Sequence, residues 1–182
     1  QTNLAEALRI DPSIASNIRD VYIMGGAVNV PGNIHSDWSA FDNEVAEWNI
    51  WVDPLAASEV FASGLNLHMV PLDATRQVTW TRKDLPGWES SGSAESDLAA
   101  GLLKWMLDNW SSDGVYIWNL VAAVVATDPR LCPDVPLSLN IVTAPGPEQG
   151  RTVVTDGTPN VTICLEPDAE LIRANAAAIF ER

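Results

Sequence analysis

Basic residues are scarce in this chain. Across 182 residues, 10 Lys and Arg face 24 Asp and Glu, a formal net charge of −14. A polyanion would be repelled by that field and no basic stripe offsets it, so nucleic acid is excluded as a partner, and so is an anionic membrane surface. Long apolar runs are missing too: none approaches the roughly 18 to 20 residues of a membrane helix. The amino terminus lacks the basic-then-apolar layout of a signal peptide. Cysteine is limited to Cys132 and Cys164, too few for a disulfide framework and spaced unlike any zinc motif. Because Cys164 lies in the apolar run Val161-Thr162-Ile163-Cys164-Leu165, two buried thiols are expected rather than a disulfide. The 12 prolines and 11 glycines sit at punctuation points without forming tracts, which excludes disorder and collagen-like architecture.

What is present describes a globular chain: 47% of residues are hydrophobic and 19% charged. The length suits a single domain over residues 1–182 with one sizeable core. The chain opens on Gln1 instead of Met, which reads as an internal point of a longer polypeptide.

Asn3 to Ile10 has helical apolar spacing and is stopped by Asp11-Pro12. Val21-Tyr22-Ile23-Met24, closed by Gly25-Gly26, and the run from Leu67 to Leu72 read as buried strands. Between them, Asp53-Pro54 opens a helix over 55–62 closed by Gly64. Strand, loop, helix, strand is the grammar of an α/β fold: a mostly parallel open sheet flanked by helices, Rossmann-like in plan. Leu98, Leu102, Trp105, Met106 and Trp110 fall at spacings of three and four, predicting an amphipathic helix that buries this face. Residues 115–127 are apolar nearly all round, with Asn119 the one strongly polar interior residue, and predict a buried helix. Lys83 to Glu95, with Pro86, Gly87 and Gly92, predicts a mobile surface loop. Strands are expected over 137–142, 152–155 and 161–165, and a closing helix over 168–180.

The densest polar constellation lies between Gly25 and Asn49. Asn33, Glu47 and Asn49 supply two carboxamides and a carboxylate, an inventory suited to the paired donors and acceptors of a sugar. The same residues also fit a turn asparagine and exposed helix positions, and spacing alone does not choose. His35, at the expected pocket mouth in the loop Ile34-His35-Ser36-Asp37-Trp38, is expected to face water. His68 is expected to be a satisfied core histidine, and Asp73 to cap the turn that follows it, with lining of the pocket as its alternative role.

Met24-Gly25-Gly26-Ala27, Pro31-Gly32-Asn33, Ala46-Glu47-Trp48-Asn49-Ile50, Val52-Asp53-Pro54 and Pro71-Leu72-Asp73, in this order, resemble consecutive motifs of the inosine-uridine preferring nucleoside hydrolases. Thr2-Asn3-Leu4-Ala5 and Leu8-Arg9-Ile10-Asp11-Pro12 resemble the segment before them. The resemblance covers essentially the whole chain but only the carboxyl-terminal part of the family fold.

That resemblance implies a calcium-dependent N-ribohydrolase, cleaving ribonucleosides to free base and ribose through an oxocarbenium-like transition state. Carried over by residue, Thr2 would give a backbone carbonyl to calcium, and Asn49 would bind ribose hydroxyls. Asn33 and Glu47 would hold the 5′-hydroxyl side, with Met24 and Trp48 lining the sugar site. Where the family places an aspartate calcium ligand, often after a histidine acid, this chain has Trp118-Asn119. Asn119 can ligate through its amide oxygen with one negative charge fewer. Trp118 resembles the purine-preferring branch, in which an indole stacks on the base; packing alone is the competing role for it. The family's amino-terminal aspartate cluster, which carries most calcium ligands and the catalytic base, has no counterpart in this sequence. The resemblance therefore implies a catalytic base outside this chain, an amino-terminal segment as partner or missing sequence, inactivity of the chain alone, a homo-oligomer and a cytoplasmic setting. A nucleoside- or ribose-binding protein without turnover and a non-catalytic structural domain are the alternatives.

Overall fold

Local sequence signals set most of the element boundaries. In chain order the elements are α1 (Thr2–Ile10), a 3₁₀ turn (Pro12–Asn17), β1 (Val21–Met24), α2 (Trp48–Trp51), α3 (Pro54–Phe61), β2 (Leu67–Val70), α4 (Leu72–Thr75), β3 (Thr79–Trp80), α5 (Leu85–Glu89), α6 (Ala94–Asn109), β4 (Val115–Tyr116), α7 (Trp118–Thr127), a second 3₁₀ turn (Pro129–Leu131), β5 (Asp134–Ile141), β6 (Thr152–Thr155), β7 (Val161–Cys164) and α8 (Ala169–Phe180). The structure is a computed structural model that describes every residue except Ser36, Trp38, Ser91, Glu181 and Arg182, together with the side chain of Phe180. The expectation for the loop holding Ser36 and Trp38 lies in part outside the described residues.

The chain divides into two compact units, residues 1–74 with 133–166 and residues 75–132 with 167–182. The first holds a five-stranded sheet in the order β1-β2-β7-β5-β6. β1 runs parallel to β2 and β2 to β7, while β5 is antiparallel to both β7 and β6. The parallel pair β1–β2 follows from the helical crossover through α3, whereas the links around β6 are too short for a crossover and enforce antiparallel neighbours. The fold is the expected α/β arrangement of an open sheet flanked by helices, with an antiparallel extension on one side.

α3 begins where expected because Asp53 caps it, its Oδ1 accepting from Ala56 N at 3.0 Å, with Pro54 in the first turn. Its buried face, including Val60 and Phe61, packs with Ala5 of α1 against Ile23, Met69 and Ile163 of the sheet. Tyr22, His68 and Thr162 are register partners across β1, β2 and β7. There the Tyr22 and His68 rings stack at 4.6 Å, and His68 Nδ1 lies 2.9 Å from Thr162 Oγ1. His68 is satisfied, as expected, but among polar neighbours at a half-buried position.

The second unit pairs β3 with β4 and packs α5, α6, α7 and α8 together. Four expectations are corrected here or at the cysteines. α6 buries Ser96, Ala100, Leu103 and Leu107, whereas Leu98, Leu102 and Trp105 of the expected core face are 65%, 56% and 52% exposed. Small Ser96 and Ala100 let α5 and α6 approach closely, which selects that stripe over the bulkier one. The 83–95 stretch is not a bare loop: it contains α5, which buries Leu85 and Trp88, the latter against Trp80 with ring centroids 5.1 Å apart. The apolar run from Val115 first makes a ribbon strand, and only from Trp118 a helix, with Asn119 exposed at its start instead of interior. Cys132 and Cys164 are buried, but both are disulfide-bonded and not thiols; two isolated cysteines in apolar surroundings look alike in either state when read as sequence.

Candidate active site

The loop leaving the carboxyl end of β1 turns at Gly26, whose φ of +85° favours glycine. The turn points the Gly26 N–H at Glu47, whose Oε2 accepts from Gly26 N at 3.0 Å, Asn49 N at 2.9 Å and Ile50 N at 3.3 Å. Glu47 is thus the N-cap of α2 and, at 2% exposure, one of the few buried charged side chains. Desolvation by burial raises its pKa above the ordinary carboxylate value, opposed by the backbone hydrogen bonds from Asn49, Gly26 and Ile50. Oε1 has no partner among the described residues, so one oxygen is structural and the other is available to a ligand.

Asn33 is brought in by a close backbone approach. Gly32 N donates to Glu44 O at 2.6 Å and Asn33 N to Ala46 O at 3.0 Å, and a Cβ on Gly32 would lie 2.1 Å from Ala46 O. The Asn33 Oδ1 then accepts from Trp48 N at 2.8 Å, which commits its oxygen and leaves its amide NH2 as donor. Asn49 Nδ2 lies 3.2 Å from both Met24 O and Met24 Sδ, leaving its Oδ1 as acceptor. Met24, Asn33, Glu47 and Asn49 therefore form one connected cluster, tied through Trp48, with an amide donor, an amide acceptor and a carboxylate oxygen unspent. Trp48 is 38% exposed, and its ring lies against that of Trp51, centroids 5.5 Å apart.

Two supporting residues, Thr152 and Asn43, carry no signal in the sequence, and a third, Asp73, does more than its expected capping role. Asp73 does not simply cap its own turn: its two oxygens accept from Val28 N at 2.9 Å and Asn29 N at 2.7 Å, fixing the loop after β1. Thr152 Oγ1 donates to Ala27 O at 2.5 Å and lies 3.2 Å from Ala27 N. Asn43 accepts from Ala46 N and donates to Gln149 O, pinning the approach to Glu47. The Pro71-Leu72-Asp73 motif was the signal for Asp73. His35 is exposed, as expected.

Thr2 opens α1, and its hydroxyl donates to Asp53 Oδ2 at 2.6 Å. This bond, ahead of the one from Ala56 N, holds the Asp53 carboxyl below the usual range. Trp118 and Asn119 open α7 in the second unit, where Trp118 is half-buried with its ring 6.1 Å from that of Tyr116. Among the described residues no group of three or more His, Cys, Asp or Glu side chains could hold a metal ion. Calcium takes about six to eight oxygens, several of them carboxylate. Thr2 and Asn119 offer neutral oxygens only, so by themselves the described residues do not fit that ion.

A buried carboxylate and two oriented amides at the end of a parallel strand define the candidate site of an α/β protein. Comparison with known proteins narrows that class. The family profile described as inosine-uridine preferring nucleoside hydrolase matches residues 1–174, and the chain belongs to this family. Pyrimidine-specific ribonucleoside hydrolases RihA of Klebsiella pneumoniae and Shigella boydii are 31% and 32% identical to it, over 93% of this chain and 55% of theirs. Among solved structures, an inosine-uridine preferring nucleoside hydrolase from Bacillus anthracis superposes with a TM-score of 0.84 at 25% identity, over 99% of this chain and 57% of that one. A purine-preferring ribonucleoside hydrolase from Gardnerella vaginalis gives 0.82 at 25% identity, over 99% and 58%. The chain thus spans a little over half the length of the relatives it matches.

Proposed function

We propose that this chain is the carboxyl-terminal part of a nucleoside N-ribohydrolase, cleaving the glycosidic bond of ribonucleosides to free base and ribose. The observation that carries the reading is the division of labour in Glu47: Oε2 is fixed by three backbone N–H groups, and Oε1 is left for a sugar hydroxyl. Asn33 Nδ2 and Asn49 Oδ1 supply the complementary donor and acceptor. These groups bind and orient ribose, and their contribution to rate is positional. Trp118 offers an indole face to the base, which favours purines, while the RihA relatives are named for pyrimidines.

An amino-terminal segment would contribute the water-activating carboxylate and the anionic ligands of a calcium ion, to which Thr2 and Asn119 would add neutral oxygens. A homo-oligomer is part of the same reading. The disulfide state of Cys132 and Cys164 favours an oxidising compartment over the cytoplasm. The test is release of free ribose from inosine and uridine, with the chain alone and with that segment and calcium added. No ribose from any nucleoside under the second condition ends the enzymatic reading. Asn119, a neutral amide in an acid's place, favours a second reading in which nucleoside is bound without turnover; calorimetric binding with no ribose formed would select it.

A further inference from the structure

Helix α6 presents to solvent a stripe that the core leaves unused. Leu98, Leu102 and Trp105 on it are each more than half exposed. Between them Gly101 leaves a gap, since a Cβ built there has no atom within 4 Å. The Trp105 ring meets that of Trp110 edge to face, centroids 5.7 Å apart, so the largest side chain of the stripe is braced. Exposed Leu and Trp gathered on one face mark an interaction surface.

Charge flanks this stripe. Asp97 and Lys104 are exposed and make no ion pair among the described residues. Lys104 is the one basic residue of α6, among Glu95, Asp97 and Asp108. It lies two turns from Asp97, about 10 Å along the axis, too far for the two to pair within the helix. Read as a heptad, the stripe has Leu98 and Trp105 at one seam position and Ala94 and Gly101 at the other, large on one side and small on the other. Two such helices laid antiparallel set large against small: Leu98 meets Gly101 of the partner subunit, and Trp105 meets Ala94 of the partner subunit. In that register Asp97 faces Lys104 of the partner subunit, and twofold symmetry makes the pair twice. Asp108, held by Arg82 of its own chain, falls outside the overlap. A pattern complementary to itself selects a second copy over an unlike segment, and the two acid–base pairs counter the repulsion between chains of net charge −14.

We propose that α6 is a homodimer interface, packed antiparallel on α6 of a second copy and held in register by reciprocal Asp97–Lys104 pairs. The expectation of an oligomer rests on the hydrolase reading; the choice of α6 rests on the helix itself.

Sedimentation equilibrium of the chain at low and high salt tests it. The expected result is a concentration-dependent dimer that weakens as salt rises. Asp97→Lys and Lys104→Asp each raise the dimer dissociation constant by about tenfold or more, because each creates two like-charge pairs. Mixed in equal amounts, the two variants recover a heterodimer in which every acid again faces a base. Gly101→Leu fills the gap and dissociates the dimer while favouring the helix. Lys83→Asp, which reverses the chain's other lysine outside α6, changes nothing, and circular dichroism of each variant checks the fold. A monomer at every concentration, a dimer indifferent to the α6 variants, or a mixture no better than either variant alone overturns the proposal. So does an added amino-terminal segment that dissociates the dimer and is itself bound more weakly by Gly101→Leu, which gives the stripe to that segment. Ribose release is read separately: a dimer that forms none counts against the hydrolase reading and not against the interface.

Discussion

Glu47 Oε2 lies 3.0 Å from the backbone nitrogen of Gly26, a bond that locks the end of β1 to the start of α2. The same oxygen caps α2, so one buried carboxylate holds two segments separated by 21 residues in the chain. Removing it does more than lose a contact, because buried backbone donors are left without an acceptor. Glu47→Ala should cost about 2–4 kcal/mol, the sum of a lost cap and an unsatisfied donor. Urea melts measure it, and a loss below about 0.5 kcal/mol would show that the carboxylate is not structural.

The titration of Glu47 gives a second prediction with a definite sign. Burial raises its folded pKa, so its ionised form is disfavoured by the native state. The contribution of this group to stability is fullest below the unfolded carboxylate pKa, about 4.3, and is lost as pH rises through the raised folded value. Glu47→Gln retains an acceptor and removes the charge. The variant should gain stability relative to the wild type between pH about 4 and neutrality, while losing affinity for ribose-containing ligands. Parallel stability profiles for the two proteins would contradict the assignment.

Gly32 is required by space and not by its dihedral angles. With a Cβ 2.1 Å from Ala46 O and 2.6 Å from Ala46 N, a side chain meets backbone that cannot swing aside. Gly32→Ala should separate the 32–33 and 44–46 segments, costing about 1–3 kcal/mol and releasing Asn33 from Trp48 N. Thermal melting and ribose affinity should fall together, and a variant melting like the wild type would refute the close approach.

The sites of easiest legibility were those where local chemistry has a single outcome. Asp53-Pro54 specifies a capped helix start, and β-branched and aromatic residues before two glycines specify β1. The Asn33, Glu47 and Asn49 cluster was legible as an inventory, but its geometry depends on Gly32 packing against Ala46, which no spacing rule encodes. Thr152 reaches Ala27 across 125 residues and is invisible to local reading. On α6 the sequence carries two apolar stripes; the small Ser96 and Ala100 mark the buried one, and hydrophobicity alone chose the bulky, exposed face. Trp88 shows the complementary failure, since Gly and Ser around it masked a residue with only 2% exposure.

Trp118 is where base preference should reside. Stacking of a base on an aromatic face is worth about 1–3 kcal/mol, and the larger purine gains more of it than a pyrimidine. With the proposed amino-terminal segment added, Trp118→Ala should lower kcat/KM for inosine by about tenfold or more, with a smaller effect on uridine. Trp118→Phe should retain part of the difference. An unchanged inosine-to-uridine ratio in both variants would assign Trp118 to packing.

Asn119 is exposed at the start of α7, so a charge can be introduced there without burying it. Its amide oxygen is a neutral donor for a hard cation, and calcium affinity rises with the number of carboxylates in the shell. In the supplemented protein, Asn119→Asp should tighten calcium binding by about tenfold and raise turnover at limiting calcium, with little change in melting temperature in the absence of the ion. Titration of calcium against ribose release separates the two effects. Tighter calcium without faster turnover would place Asn119 at the ion but not on the path to catalysis, and no change in either would remove it from the site.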